Sequence, residues 1–151
     1  MNKEKLSQKN YLIMTKEEKE LLLKDLCARL SYGVICHTDK GDGYLCSINQ
    51  TIFGTEYGLN ISPVKRDYFN DSEQDEVVIK PYLRPMSSMT EEEYYGEYQR
   101  KVLIMRDADE TLHWLETVDS IDWLNAHHFD FRGLIEKGLA IEAPKDMYKE
   151  K

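Results

Sequence analysis

The sequence predicts an α+β fold with an N-terminal helix, a small bent antiparallel sheet and a set of short C-terminal helices. Three observations lead there. A capping box at Thr15 opens a stretch of helical apolar spacing, the period changes to two from Val34, and helical spacing returns after Pro85 behind Thr90, Ser120 and Asp130. A chain of 151 residues suits one main core, so residues 14–151 are read as a single domain and residues 1–13 as an extension.

The first helix is expected from Lys16 to about Leu30, because Thr15 and Glu18 can each satisfy the other's free backbone N–H. Leu22, Leu23, Leu26, Cys27 and Leu30 form its apolar stripe, and Gly33 is placed to end it. Two strands follow, one from Val34 and one through Tyr44, Cys46 and Ile48, with Asp39-Lys40-Gly41-Asp42-Gly43 as the hairpin loop. Shorter strands are expected at Thr51–Phe53, Gly58–Ile61 and Glu76–Ile79. Such strands make either a flat meander or a half-open barrel. Asp67 to Glu76 carries five carboxylates and no cation, and reads as a solvated loop. Pro81 and Pro85 bracket an extended connector, since proline lacks an N–H and disfavours helix before it.

A second capping box, Thr90 with Glu93, starts another helix with Tyr94, Tyr98, Val102 and Met105 on one stripe and Gly96 weakening its middle. The last third reads as short helices over Asp109–Glu116, Ile121–His127 and Phe131–Lys137, the last ended by Gly138, with an apolar tail, Leu139 to Pro144, lying on the core.

Two stretches near the N-terminus and in the middle of the chain, Met14-Thr15-Lys16-Glu17-Glu18-Lys19 through Tyr32-Gly33-Val34 and Lys80-Pro81-Tyr82-Leu83-Arg84-Pro85-Met86-Ser87-Ser88-Met89-Thr90, are joined by Ser120-Ile121-Asp122-Trp123-Leu124-Asn125-Ala126-His127-His128-Phe129-Asp130-Phe131-Arg132-Gly133-Leu134-Ile135. These strings resemble a group of short uncharacterised proteins from Bacteroides-type gut bacteria and their prophages. The resemblance implies that Met14 is the usual start and that residues 35–79 vary between members. It implies no activity.

Lys plus Arg number 20 against 28 Asp plus Glu, so the net charge of −8 repels nucleic acid on average, and no basic run interleaved with aromatics offsets it. The polar start, MNKEKLSQKN, has no h-region, and no apolar run approaches the ~20 residues of a membrane helix. Three cysteines, Cys27, Cys36 and Cys46, suit reduced thiols better than a disulfide framework. The expected location is cytoplasmic, with no membrane contact.

No nucleophile elbow and no phosphate loop is present, so a catalytic set is not assigned. Cys27, Cys36, His37 and Cys46 have the residue types of a zinc site, but adjacent strand residues face opposite ways, and burial as small core side chains is the expected role of the cysteines. The Asp39–Gly43 loop lacks side-chain ligands at the positions a calcium loop needs, and no metal or cofactor is expected. His113, His127 and His128 form the densest imidazole group, the basis of a third reading as a small histidine-dependent hydrolase. Stacking of Trp123 on His127 and a helix-dipole contact for His128 account for these residues structurally.

Ten tyrosines and two tryptophans are many for this length, and Tyr and Trp favour half-wet protein interfaces. Tyr94, Tyr98, Trp114, Trp123 and His127 are therefore the candidate binding residues. The leading reading is a non-catalytic interaction protein of a mobile element with a protein partner, homo-oligomers being left open. The alternative is an acidic mimic of nucleic acid that occupies a nuclease or restriction enzyme, using Asp71, Glu73, Asp75 and Glu76 together with the acidic stretch Asp107–Asp122 in place of phosphates.

Overall fold

The structure, a computed structural model, describes residues 14–50, 56–63, 65–70 and 79–149. Helix α1, Lys16–Arg29, begins as expected. Thr15 Oγ1 accepts from the Glu18 N–H at 3.1 Å, and the Glu18 carboxylate accepts from the Thr15 N–H at 3.1 Å. A 3-10 turn, Leu30–Tyr32, extends it to Gly33, whose φ of 69° suits a residue without a Cβ. The inward face differs from the expected stripe. Leu22 and Leu26 are fully buried, but so are Lys19, Asp25 and Arg29, while Cys27 is exposed. The helix is turned so that charged side chains face inward, Asp25 and Arg29 being joined there by a salt bridge.

β1, Ile35–Thr38, and β2, Gly41–Gln50, pair antiparallel through a turn of only Asp39 and Lys40. The loop is tighter than expected because Thr38 Oγ1 bridges it, donating to Gly41 O and accepting from the Lys40 N–H. Gly43 lies within β2, where a Cβ would stand 2.6 Å from Ser62 O of the next strand. β3, Glu56–Ser62, pairs with β2 across a register shift between Leu45 and Ser47. That irregularity breaks the strict period of two: Leu45 and Ile48, three apart, both pack on the core, and Cys46 is exposed.

β4, Lys65–Asn70, pairs with β3, so the expected loop from Asp67 is strand as far as Asn70. The rest of that loop, including Asp71, Glu73, Asp75 and Glu76, and the expected strand Thr51–Phe53 lie outside the described residues. So do residues 76–78 of the strand expected at Glu76–Ile79.

The expected connector is the strand that organises the sheet. β5, Lys80–Pro85, buries Pro81 and Leu83 and changes partner every two residues. It pairs antiparallel with β1 at Lys80 and Pro81, parallel with β9 (Ile141–Glu142) at Tyr82 and Leu83, and parallel with β8 (Phe129–Asp130) at Arg84 and Pro85. Proline is compatible with so short a shared ladder, since its φ is already extended and few N–H groups are called on. The sheet is thus mixed, in the order β4-β3-β2-β1-β5-β8 with β9 also on β5, and its two ends, β4 and β8, do not pair.

Thr90 and Glu93 form the second capping box, opening α2, Glu91–Glu93. The helix expected to reach Met105 widens into a π turn, Tyr94–Tyr98, around Gly96 and stops. Val102 still reaches the core beside Tyr98, whereas Met105 passes into β6, Leu103–Arg106. The helix expected over Asp109–Glu116 is β7, Leu112–Leu115, paired antiparallel with β6. The connecting turn explains this: Asp107 Oδ1 accepts from the N–H groups of Asp109 and Thr111, and Glu110 has φ 64°, which no helix accommodates.

α3, Val118–Ala126, starts three residues earlier than Ile121. Its cap is Thr117, with Ser120 completing the reciprocal pair. The expected helix over Phe131–Lys137 is a single turn. Asp130 is not the helix cap expected: its carboxylate accepts from the N–H groups of Leu134 and Ile135, four and five residues on, and Gly133 and Gly138, both at positive φ, leave no room for a helix. Leu139 and Ala140 lie in the core as expected, and β9 adds the tail to the sheet.

Two apolar clusters result. One gathers α1, the sheet and the tail; the other gathers Tyr98, Trp123, Leu124 and Phe129. Arg29 spans them, donating to Asp25 at 2.9 Å and to Phe129 O at 2.6 Å. Among the described residues no helix is long and apolar enough to cross a membrane.

Candidate interaction surface

The aromatic residues singled out in the sequence divide into two places. Tyr94, Tyr98, Trp123 and His127 form one run of rings with Phe129: Tyr98 to Trp123 at 5.5 Å, Trp123 to His127 at 4.1 Å and Trp123 to Phe129 at 5.6 Å. The Trp123–His127 stack is the one expected from their helical spacing. Tyr98 and Trp123 are buried, and the Arg84 guanidinium closes the run 4.1 Å from the Phe129 ring centre. Arg84 also holds Glu93 in a two-pronged pair at 2.7 and 2.8 Å, which keeps that carboxyl at about 2, well below its ordinary value. Tyr98, Trp123 and Phe129 are interior packing that joins β5, the π turn and α3, with Tyr94 and His127 half-buried at its margin.

Trp114 is elsewhere, on the β6–β7 hairpin, and its exposure is 49%. Leu103, Ile104, Met105, Leu112 and Leu115 share that hairpin and are also exposed, at 44% to 50%. Both faces carry apolar groups: Ile104 lies opposite Trp114, and Leu103 opposite Leu115. Neither β6 nor β7 has a further strand beside it among the described residues. A two-stranded hairpin alone is marginally stable, so the structure must brace its ends.

It does so at the base. Thr117 Oγ1 donates to Lys101 O at 2.6 Å, and the Glu116 carboxylate accepts from the Tyr98 hydroxyl and from Ser120 Oγ. The Tyr98 hydroxyl titrates well above its usual range, first through desolvation and then through the Glu116 charge beside it. At the tip, Asp107 also holds His113 Nε2 at 2.8 Å, an interaction that lowers the Asp107 carboxyl. An open polar hollow lined by Gly96, Glu97, Arg100, Lys101, Thr117 and Asp119 adjoins the base. The hairpin is therefore held in place as an extended, exposed apolar element.

The remaining candidate residues do not assemble with it. His128 is buried at φ 62°, stacked on Tyr148 at 3.8 Å; it is not a surface cation at a helix end. Burial above all, and then Arg29, His127 and Arg84, hold its imidazole down to about 4, so it is neutral. His113, His127 and His128 thus have three separate sets of partners. His37 is exposed and bonded to Asp42 at 2.8 Å, with the Tyr82 hydroxyl donating to the same carboxylate.

Of the cysteines, only Cys36 occupies the core; its thiol is pushed up to about 12, mainly by burial, which makes it unreactive. Cys27 and Cys46 are exposed, contrary to the core role expected for all three. Among the described residues no three His, Cys, Asp or Glu side chains are gathered as metal ligands.

Sequence spacing does not reveal five of the exposed hairpin residues, because Leu103 to Met105 and Leu112 to Leu115 also fit helix faces. The available signal was two four-residue runs, each with three apolar members, around Asp107-Ala108-Asp109, a turn sequence. No protein-family model matches the chain, and comparison with curated proteins and with solved structures returned no significant match.

Proposed function

We propose that this chain is a non-catalytic protein-interaction module that binds protein through the β6–β7 hairpin. The observation that carries this reading is the set of six large apolar side chains, three on each face of a braced hairpin, all left about half exposed. Exposed apolar groups gathered on one element of a highly charged chain mark contact sites, and an uncovered strand edge invites pairing. Three free thiols, two of them exposed, support a reducing compartment such as the cytoplasm. The likeness of the strings around Thr15, Pro81 and Trp123 to proteins of Bacteroides-type bacteria and their prophages supports a mobile-element origin.

The test uses a photoreactive residue at position 114 to capture the bound protein in cells. The captured partner is then titrated against Trp114→Ala and Trp123→Ala. Trp114→Ala should weaken binding by about 2 kcal/mol while leaving the melting curve nearly unchanged, as expected of an exposed anchor. Trp123→Ala should instead cost about 3–5 kcal/mol of folding stability. Binding should change little with salt. If Trp114→Ala and Leu103→Ser bind normally, or if salt abolishes binding, the hairpin is not the contact element and the acidic-mimic reading gains.

A further inference from the structure

We propose that the occupant of the hairpin edge is a second copy of this chain, paired antiparallel along β6 about a twofold axis at Ile104. The inference rests on the hairpin being the contact element.

The backbone defines which groups are free. The Asp107 N–H bonds to Thr111 O at 3.1 Å, so by the alternation of an antiparallel ladder the N–H and C=O of Met105 and Leu103 face β7. Lys101 O, of the same parity, is likewise turned that way, toward Thr117. The N–H and C=O of Ile104 therefore face the open edge. A twofold axis normal to the sheet can only pass through a residue paired with itself. At Ile104 it forms two reciprocal N–H to O=C bonds between the copies.

Charge selects this strand and this direction. Arg100 and Lys101 precede β6, and Asp107, Asp109 and Glu110 follow it; Arg106, the last residue of the strand, pairs with Glu110 at 3.6 Å and leaves Asp107 and Asp109 as the acidic end. Antiparallel pairing at Ile104 sets Leu103 opposite Met105 of the second copy and Lys101 opposite Asp107 of the second copy. Parallel pairing would set the acidic tips together. Pairing along β7 centred on Trp114 would set Asp109 opposite Asp119. Glu97 and Asp119 share the hollow with Arg100 and Lys101, so the ion pairs act on register more than on affinity.

Affinity comes from the side-chain rows. Because Trp114 lies opposite Ile104 within each hairpin, one face of the four-stranded product carries Trp114, Ile104, Ile104 and Trp114 in an unbroken line. Two marginal hairpins become one sheet with an apolar ladder.

The test is sedimentation of the full-length purified chain over rising concentration. A monomer–dimer equilibrium is expected. Ile104→Pro removes the outward N–H and spares the bonds to β7, and Ile104→Lys places two ammonium groups at the axis; each should weaken the dimer by roughly tenfold or more without lowering the melting temperature. In a Cys27→Ser, Cys46→Ser background, Ile104→Cys should form an interchain disulfide on mild oxidation, since Cα atoms of such a pair lie about 5.5 Å apart, whereas Trp114→Cys should not. A chain that stays monomeric, a dimer indifferent to Ile104→Lys, or equal cross-linking at 104 and 114 overturns the proposal. If the purified chain is monomeric while position 114 captures a different protein in cells, the second-copy inference falls and the hairpin reading stands. A monomer that captures nothing at position 114 overturns both.

Discussion

Replacing Asp25 by alanine should destabilise the fold as much as the largest apolar truncations. Its side chain is fully buried beside the fully buried Arg29, and it accepts from Arg29 Nε at 2.9 Å and from Arg132 at 2.7 Å. Arg29 has little else to turn to: one guanidinium nitrogen donates to Phe129 O, and Nη1 has no partner among the described residues. Removing the carboxylate strands a cation that cannot reach water, for which about 3–5 kcal/mol is the usual cost. A domain of this size has roughly 5–15 kcal/mol in total, so the loss is a large share of it.

Arg132→Ala should cost less, about 1–2 kcal/mol, because that side chain keeps 13% exposure and leaves Asp25 with Arg29. The double change Asp25→Leu, Arg29→Met removes both charges and should recover much of the loss, since a buried ion pair is weak support compared with apolar packing of similar volume. Urea unfolding at neutral pH, followed by circular dichroism, gives all four values. An Asp25→Ala loss under about 1 kcal/mol, or a double variant no more stable than the single one, would refute the reasoning.

Gly43→Ala should cost about 1–3 kcal/mol, because the added methyl meets Ser62 O at 2.6 Å and Ile61 Cγ2 at 3.0 Å and the strands must part. Gly96→Ala meets nothing within 4 Å and serves as the control, neutral or slightly stabilising in the same melting assay. For pH, the His128 imidazole titrates at about 4 in the fold, below the ~6.5 of an unfolded histidine, so the unfolded chain takes up the proton first. Its contribution is fully present above about pH 6.5 and is lost as pH falls toward 4, and His128→Asn, tolerant of the left-handed backbone, should flatten that part of the stability curve. Glu93 acts in a separate window, its contribution being lost as pH falls from about 4.5 toward 2.

Much of the candidate site was hidden in the sequence, and the reason is physical. Trp114 was legible because a tryptophan on a polar background suggests an interface wherever it lies. Leu103, Ile104 and Met105 were not, because a short apolar run fits a helix face as well as a strand. The choice was made by Asp107 binding two N–H groups ahead of it and by Glu110 at positive φ. Conversely, composition alone marks Tyr98 and Trp123 as interface residues, whereas both are buried with Phe129 as packing.

What the sequence alone determined is whatever closes within about four residues. Both expected capping boxes, the stop at Gly33 and the Trp123–His127 stack need only neighbours along the chain, so their spacing specifies them. What the tertiary structure decided needs partners far away. β5 is a strand because β1, β8 and β9 arrive beside it from both sides of the sequence; without them Pro81 and Pro85 define only an extended segment. Asp25 and Arg29 face inward because distant groups meet the polar atoms their own pair leaves over: Arg132, 107 residues beyond Asp25, donates to its second oxygen, and Phe129 O accepts from Arg29. An amphipathic pattern assigns charge to water by default, and only distant hydrogen-bonding partners, brought close by the fold, let a local ion pair face the interior.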